Sequence, residues 1–241
     1  MKENSANVTL KIGDVPVRLT VTVPNKRTKQ DILLPFLREL DQKSEDIAIA
    51  NVTARGHSIS CTNGCSACCY QLIPLNQIEV RYIVKFIERM PKNSRQKIQN
   101  RFAEAYTKIQ DAGILDDLMN SGQISENLTE FALKYFDLGI ACPFLEDNSC
   151  SIYKERPLRC REYLVTNPAI HCAKPTKETI QLVPFPVRMS KLLSKLNQPW
   201  TKYATHWVPL SLLLAWEKCH PEPAILRHSK EWVEDALNAL G

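Results

Sequence analysis

Four cysteines fall within nine residues, Cys61-Thr62-Asn63-Gly64-Cys65-Ser66-Ala67-Cys68-Cys69, and no other feature limits so strongly what this chain can become. Four more follow at Cys142, Cys150, Cys160 and Cys172, leaving only Cys219 outside the pattern. Disulfides account poorly for such a cluster, because neighbours such as Cys68 and Cys69 hold their Cα atoms too close for an unstrained bridge. Metal ligation accounts for it better. Clustered thiolates are soft, negatively charged donors that suit zinc or an iron-sulfur centre, and a tight turn containing Gly64 can aim several sulfurs inward.

The rest of the composition is that of a soluble globular protein: 241 residues, 44% hydrophobic and 24% charged. The N-terminus passes directly into alternating polar and apolar residues, without the uninterrupted apolar core of a secretory signal. The longest apolar run, Leu210 to Trp216, is interrupted by Ser211 and falls far short of the roughly 20 residues that span a bilayer. These features predict a cytoplasmic protein with no membrane partner, in which thiols stay reduced and clustered cysteines bind metal. The net charge of +5, from 31 basic and 26 acidic residues, does not point to a nucleic-acid partner. Of two locally basic stretches, Lys92, Arg95, Lys97 and Arg101 read as a solvated helix face. Lys154, Arg156, Arg159 and Arg161 bracket Cys160, where cations offset thiolate charge.

Residues 7 to 23 alternate with period two around Gly13-Asp14, which predicts a β-hairpin, with Pro16 placing the second strand at an edge. Its expected role is structural or in assembly. From about Asp31, a candidate cap, the pattern turns helical, with Leu33, Phe36, Leu37 and Leu40 on one face and Pro35 in the first turn. Asn76 caps a predicted helix with Glu79 three residues on and a stripe of Ile78, Tyr82, Ile83, Phe86, Ile87 and Met90. A second helix is expected from about Ser94 to Gly113 with Ile98, Phe102, Ala105, Tyr106 and Ile109 inward. A third is expected from about Ser125, with Leu128, Phe131, Ala132, Tyr135 and Phe136 together. Cys142 to Cys172 is turn-rich and aperiodic, a segment that needs metal for order. Short helices are expected near 187–196, 209–219 and 229–240. The expected fold class is mainly α (α+β): one helical domain over 1–241, with a hairpin extension at 1–25, an irregular cysteine-rich metal-binding centre at 57–175 and a C-terminal helical segment at 176–241.

The two cysteine-rich stretches together resemble the YkgJ-type cysteine-cluster family, a zinc- or iron-chelating domain with a CxxCxxCC signature. The resemblance is carried by Cys65-Ser66-Ala67-Cys68-Cys69, by the downstream helix with Glu79, and by the string from Cys142-Pro143-Phe144 through Cys150-Ser151-Ile152-Tyr153 to Arg156-Pro157-Leu158-Arg159-Cys160-Arg161. One departure is that Cys61 gives C-x3-C-x2-C-C where the family shows C-x2-C-x2-C-C. The resemblance implies binding of a metal ion or cluster; it does not imply a reaction, and no catalytic residue is assigned. The predicted ligands are Cys61, Cys65, Cys68, Cys69, Cys142, Cys150, Cys160 and Cys172. Eight thiols suffice for two tetrathiolate zinc sites or for one 4Fe-4S cluster with spare thiols. Successive side chains diverge, so Cys68 and Cys69 are not expected to aim at one ion; one serves a second site or only packs.

His57 and His171 lie beside the cysteines and read as solvated or core residues. Tyr153 is expected to pack under the site with its hydroxyl bonded, and Pro157 to start the short helix carrying Cys160. Arg156 and Arg161 are expected to bond sulfur or backbone carbonyls, or to pair with a carboxylate such as Glu79. Cys219 reads as a buried free thiol. The leading functional expectation is an accessory or redox metalloprotein holding an iron-sulfur cluster or zinc, with a protein partner possible. The alternative is a metal-dependent modifying enzyme, since flagellin lysine N-methylase resembles the wider cysteine-cluster group; against it, no G-x-G-x-x-G loop is present. Cys61, Cys65 and Cys68 also match the C-x3-C-x2-C spacing of radical S-adenosylmethionine enzymes. The glycine-rich strand ends of their barrel are hard to supply from 7 glycines.

Overall fold

Gly13 adopts φ +60° at the tip of the N-terminal hairpin, a conformation that glycine reaches without a side-chain penalty, and it closes β1 (Glu3–Ile12) onto β2 (Val15–Pro24). The computed structural model describes residues 3–62, 64–120, 128–176, 179–196, 207–222 and 224–240. The register pairs Ile12 with Val15 and Glu3 with Pro24, so the ribbon starts earlier than the alternating pattern predicts. Its extra residues, Glu3 to Ala6, are mostly polar and carry no period, and cross-strand pairing alone recruits them. Period two buries Val17, Leu19, Val21 and Val23 on one face of β2. On the opposite face Thr20 donates to Asn7 at 2.9 Å, and the Ser5 and Thr22 hydroxyls lie 3.0 Å apart.

The remaining elements follow in chain order. A two-residue strand β3 (Arg27–Thr28) precedes a 3-10 turn, Gln30–Leu33, and α1 (Leu34–Ala54); Asp31 sits inside that turn instead of capping α1, and Pro35 lies in the first turn of the helix. β4 (Pro74–Leu75) leads into α2 (Gln77–Glu88), with the predicted capping box of Asn76 and Glu79 formed. α3 (Lys92–Asp111) is followed by α4 (Leu115–Met119) and α5 (Leu128–Asp137). The expected start of α5 near Ser125 lies outside the described residues, as does Asn63 of the cysteine motif. Leu128, predicted to face inward, is 49% exposed, because the buried stripe of α5 is carried by Phe131 and Tyr135. The aperiodic stretch contains β5 (Leu145–Glu146), β6 (Ser149–Cys150), α6 (Leu158–Arg161) and α7 (Ile170–Ala173). Then come α8 (Met189–Leu196), β7 (Val208–Pro209), α9 (Leu213–Cys219), β8 (Arg227–His228) and α10 (Ser229–Leu240). The molecule is thus mainly α with small antiparallel pairs: β1 with β2, β3 with β8, β4 with β7 and β5 with β6. Among the described residues no helix is long and apolar enough to cross a membrane.

Contacts divide the chain into two units. The first comprises Met1–Ser58, Val183–Lys202 and Pro223–Gly241. There α10 packs on β2 and α8, the buried Trp232 donates from Nε1 to Thr28 O at 3.0 Å, and Ser44 Oγ donates to Val187 O at 2.6 Å. The second comprises Ile59–Leu182 and Tyr203–Glu222. Its main apolar cluster joins Val80, Ile83 and Ile87 of α2, Phe102 of α3, Phe144, Ile152 and Trp216 of α9. Phe102 and Phe144 meet edge to face, with centroids 5.4 Å apart. Burying each of these large side chains stabilises the fold by about 1.5–3 kcal/mol. Arg81 lies over the Trp216 ring, pairs with Glu217 at 2.7 Å and donates to His220 O.

Candidate metal centre

All nine cysteines are unbridged. The centre of the cluster is a 3-10 turn, Ala67–Tyr70, entered through Gly64 at φ +84°. Backbone bonds set its shape: Cys65 N–H donates to Thr62 O at 3.1 Å, Cys69 N–H to Ser66 O at 2.9 Å and Gln71 N–H to Cys68 O at 3.2 Å. The neighbouring thiols Cys68 and Cys69 do not diverge fully, as regular backbone would make them do. The Cys69 thiol donates a hydrogen bond to the Cys68 sulfur.

The second cysteine stretch is tied to this turn directly. Cys142 N–H donates to Cys69 O at 2.7 Å. The chain then reverses through Asp147 (φ +48°) and Asn148 (φ +58°), the positive pair of a two-residue hairpin turn, so that Cys150 pairs with Leu145 across β5 and β6. Ser66 Oγ meets Asn148 Oδ1 at 3.3 Å. Pro157 precedes α6 as expected, and Cys160 N–H donates back to Pro157 O at 3.0 Å. Glu79 fastens α6 to α2: Oε1 accepts Leu158 N–H at 2.8 Å, while Oε2 accepts Asn76 N–H at 3.4 Å. One carboxylate thereby orders both the most regular helix and the turn that presents Cys160. α7 packs against the Ala67–Tyr70 turn and buries Cys172. The segment before Cys61 is held by Ser60 N–H to Val165 O at 2.9 Å and Ser60 Oγ to Thr166 O at 3.1 Å.

Backbone N–H groups point at sulfur. Cys142 accepts from Phe144, Cys150 from Ile152 and Cys61 from Val165, each bond favouring the thiolate. Burial works in the opposite direction and is stronger. It pushes the Cys142 thiol up to about 12 and the Cys160 thiol well above its ordinary range, and raises Cys61 and Cys150. Burial, then the charge of Cys61, pushes Cys172 up to about 11. Cys69 is raised first by its role as hydrogen-bond donor, and Cys68, the acceptor, is lowered to about 7. In the metal-free site Cys68 is the thiol shifted toward its thiolate, while Cys61, Cys69, Cys142, Cys150, Cys160 and Cys172 are all shifted toward the protonated form. A bound cation reverses that preference.

Two arginines supply the fixed positive field. Arg156 lowers the cost of a thiolate at Cys61, Cys68, Cys150 and Cys160, and its guanidinium is held over the Tyr153 ring at 3.8 Å with Nε donating to Tyr153 O at 3.2 Å. Tyr153 is thus not packed under the site; it is 54% exposed and serves as a platform for Arg156. Arg101 acts on Cys142 and donates to Leu145 O at 3.0 Å. The sequence placed it on a solvated face, yet it stands three residues after Ile98 and four before Ala105, both buried, and that spacing is the signal that locates it. Cys219 is exposed, not buried: it is the last residue of α9, beyond the buried Leu213 and Trp216.

The donor set fits a thiophilic metal: eight thiols from Cys61 to Cys172 act electrostatically on one another, backed by N–H donors and guanidinium groups. Among the described residues no three His, Cys, Asp or Glu side chains already stand in a finished ion-holding arrangement.

A mainly helical α+β chain that gathers cysteines from two distant stretches around one turn belongs with the metal-chelating cysteine-cluster proteins. Specifically, it is a member of the CxxCxxCC family, described as "Putative zinc- or iron-chelating domain", whose model matches residues 60–182. No curated protein and no solved structure matches the chain significantly.

Proposed function

We propose that this chain is an accessory metalloprotein that holds zinc or an iron-sulfur cluster through Cys61, Cys65, Cys68, Cys69, Cys142, Cys150, Cys160 and Cys172, with a redox role when the centre is iron. The observation that carries this reading is the Cys142 N–H to Cys69 O bond at 2.7 Å. It seats the second cysteine stretch on the turn of the first, and thiols 73 to 111 residues apart act on one another. Bound metal neutralises the assembled thiolates and supplies order that short, aperiodic elements cannot draw from apolar burial alone.

The test is elemental analysis and an absorption spectrum of protein purified without oxygen. Iron with acid-labile sulfide and a broad visible band identifies a cluster, and reversible oxidation without unfolding then establishes the redox role. A colourless protein with stoichiometric zinc makes the centre structural. A well-folded protein that carries neither metal and takes up neither overturns the proposal.

A further inference from the structure

Among the described residues β1 pairs with β2 alone, which leaves its other edge open. The two-residue turn at Gly13-Asp14 makes Ile12 and Val15 a hydrogen-bonded pair, and such pairs recur at every second residue down to Asn4 and Val23. The alternate residues Glu3, Ser5, Asn7, Thr9 and Lys11 therefore turn their N–H and C=O groups away from β2. Side chains agree: the close contacts Asn7–Thr20 and Ser5–Thr22 fall in the non-bonded pairs, where opposite side chains approach most nearly. On β2 the outward set includes Pro16 and Pro24, and Pro24 O already accepts Ser229 Oγ. Of the two edges of the hairpin, that of β1 alone carries an unbroken ladder. The apolar face beside this edge is incompletely covered. α10 packs on β2, whose Val17, Leu19, Val21 and Val23 are buried, whereas Val8 and Leu10 are half-buried and Ala6 is exposed. A groove of about 670 Å³ is lined by Asn4, Ala6 and Val8 of β1 and by Val233 and Leu237 of α10.

We propose that β1 pairs antiparallel with β1 of a second copy of this chain, about a two-fold axis through Asn7, to form a four-stranded sheet. Charge sets the register. Glu3 and Lys11 are the only charged residues of β1, both belong to the outward set, and within the hairpin they face Pro24 and Pro16. An axis through Asn7 places Glu3 of each copy opposite Lys11 of the other, and Ser5 opposite Thr9, all at hydrogen-bonding positions. Sliding one copy by two residues keeps the ladder but separates both ion pairs, and an unpaired lysine opposes strand addition. On the other face Ala6 of each copy meets Val8 of the other, and Asn4 meets Leu10, so each copy covers apolar surface beside the other's groove. The two α10 helices fit on that face, because β2 and its counterpart lie three strand spacings, about 14 Å, apart, wider than the roughly 8–10 Å between packed helices. No cysteine takes part, so the pairing stands apart from the metal-binding reading.

Sedimentation equilibrium of the full chain under reductant, with every variant at the same metal content, tests the pairing. The wild type is expected to be a concentration-dependent dimer. Glu3→Lys and Lys11→Glu each set like charges opposite at both ends and are expected to weaken it on the order of tenfold. Mixed in equal amounts, the two variants are expected to form a heterodimer near wild-type strength, because each supplies the charge the other lacks. A defect confined to one copy gives no such rescue. Thr9→Pro removes an outward N–H and no bond within the hairpin, and is expected to give a monomer that is folded by circular dichroism. The charge pair decides even where the proline variant does not fold. A folded wild type that stays monomeric overturns the proposal and leaves the edge to a strand of another protein. A dimer that survives in folded Thr9→Pro, or a mixture that associates no better than its components, overturns it as well.

Discussion

At the residue scale the site is decided by which thiol carries charge. Cys68 is lowered to about 7 chiefly because Cys69 donates to it, with Arg156 a smaller contributor. Cys69→Ala removes that donor, so in metal-free protein Cys68 is expected to return toward ordinary thiol behaviour and its alkylation at pH 7 to slow several-fold; an unchanged rate-pH profile would show that the donor is unimportant. Burial has a second consequence. The folded protein holds the Cys142 proton up to about 12, whereas an unfolded chain releases it near 9.0. Between those values the unfolded state binds fewer protons at this thiol, so the contribution of Cys142 to metal-free stability is level below pH 9.0 and falls as pH rises through that window. Tyr135, pushed up to about 12 mainly by burial, acts in the same direction. Urea unfolding with chelator at several alkaline pH values measures this. The cysteines and Pro157 were legible as single letters; the inward reach of Arg101 and the exposure of Tyr153 and Cys219 were not, since each depends on which face of an element meets the core.

At the element scale, legibility followed periodicity. α2 and α3 could be read from stripes of 3.6-residue period, and the Asn76-Glu79 capping box was visible as two letters three apart. By contrast β5, β6, α6 and α7 are two to four residues long, too short to express any period, and are fixed by single bonds such as Glu79 to Leu158 N–H. Asn76→Ala is expected to cost about 1 kcal/mol in urea unfolding and to leave metal content unchanged, because the side chain caps α2 without touching a thiol. Loss of metal in a folded Asn76→Ala protein would mean that the cap positions the centre.

At the scale of the whole molecule, the family match at residues 60–182 coincides with the part of the chain that carries the eight clustered cysteines. The first unit is assembled from three separated segments, a connectivity that no local pattern announces. The claim that joins the scales is that those cysteines, and not Cys219, hold the metal. Metal per chain, measured for Cys65→Ser, Cys68→Ser, Cys142→Ser, Cys150→Ser and Cys160→Ser beside Cys219→Ser, tests it most directly. The five are expected to lose metal and much of their solubility while Cys219→Ser keeps both; full metal content in all five would contradict the account.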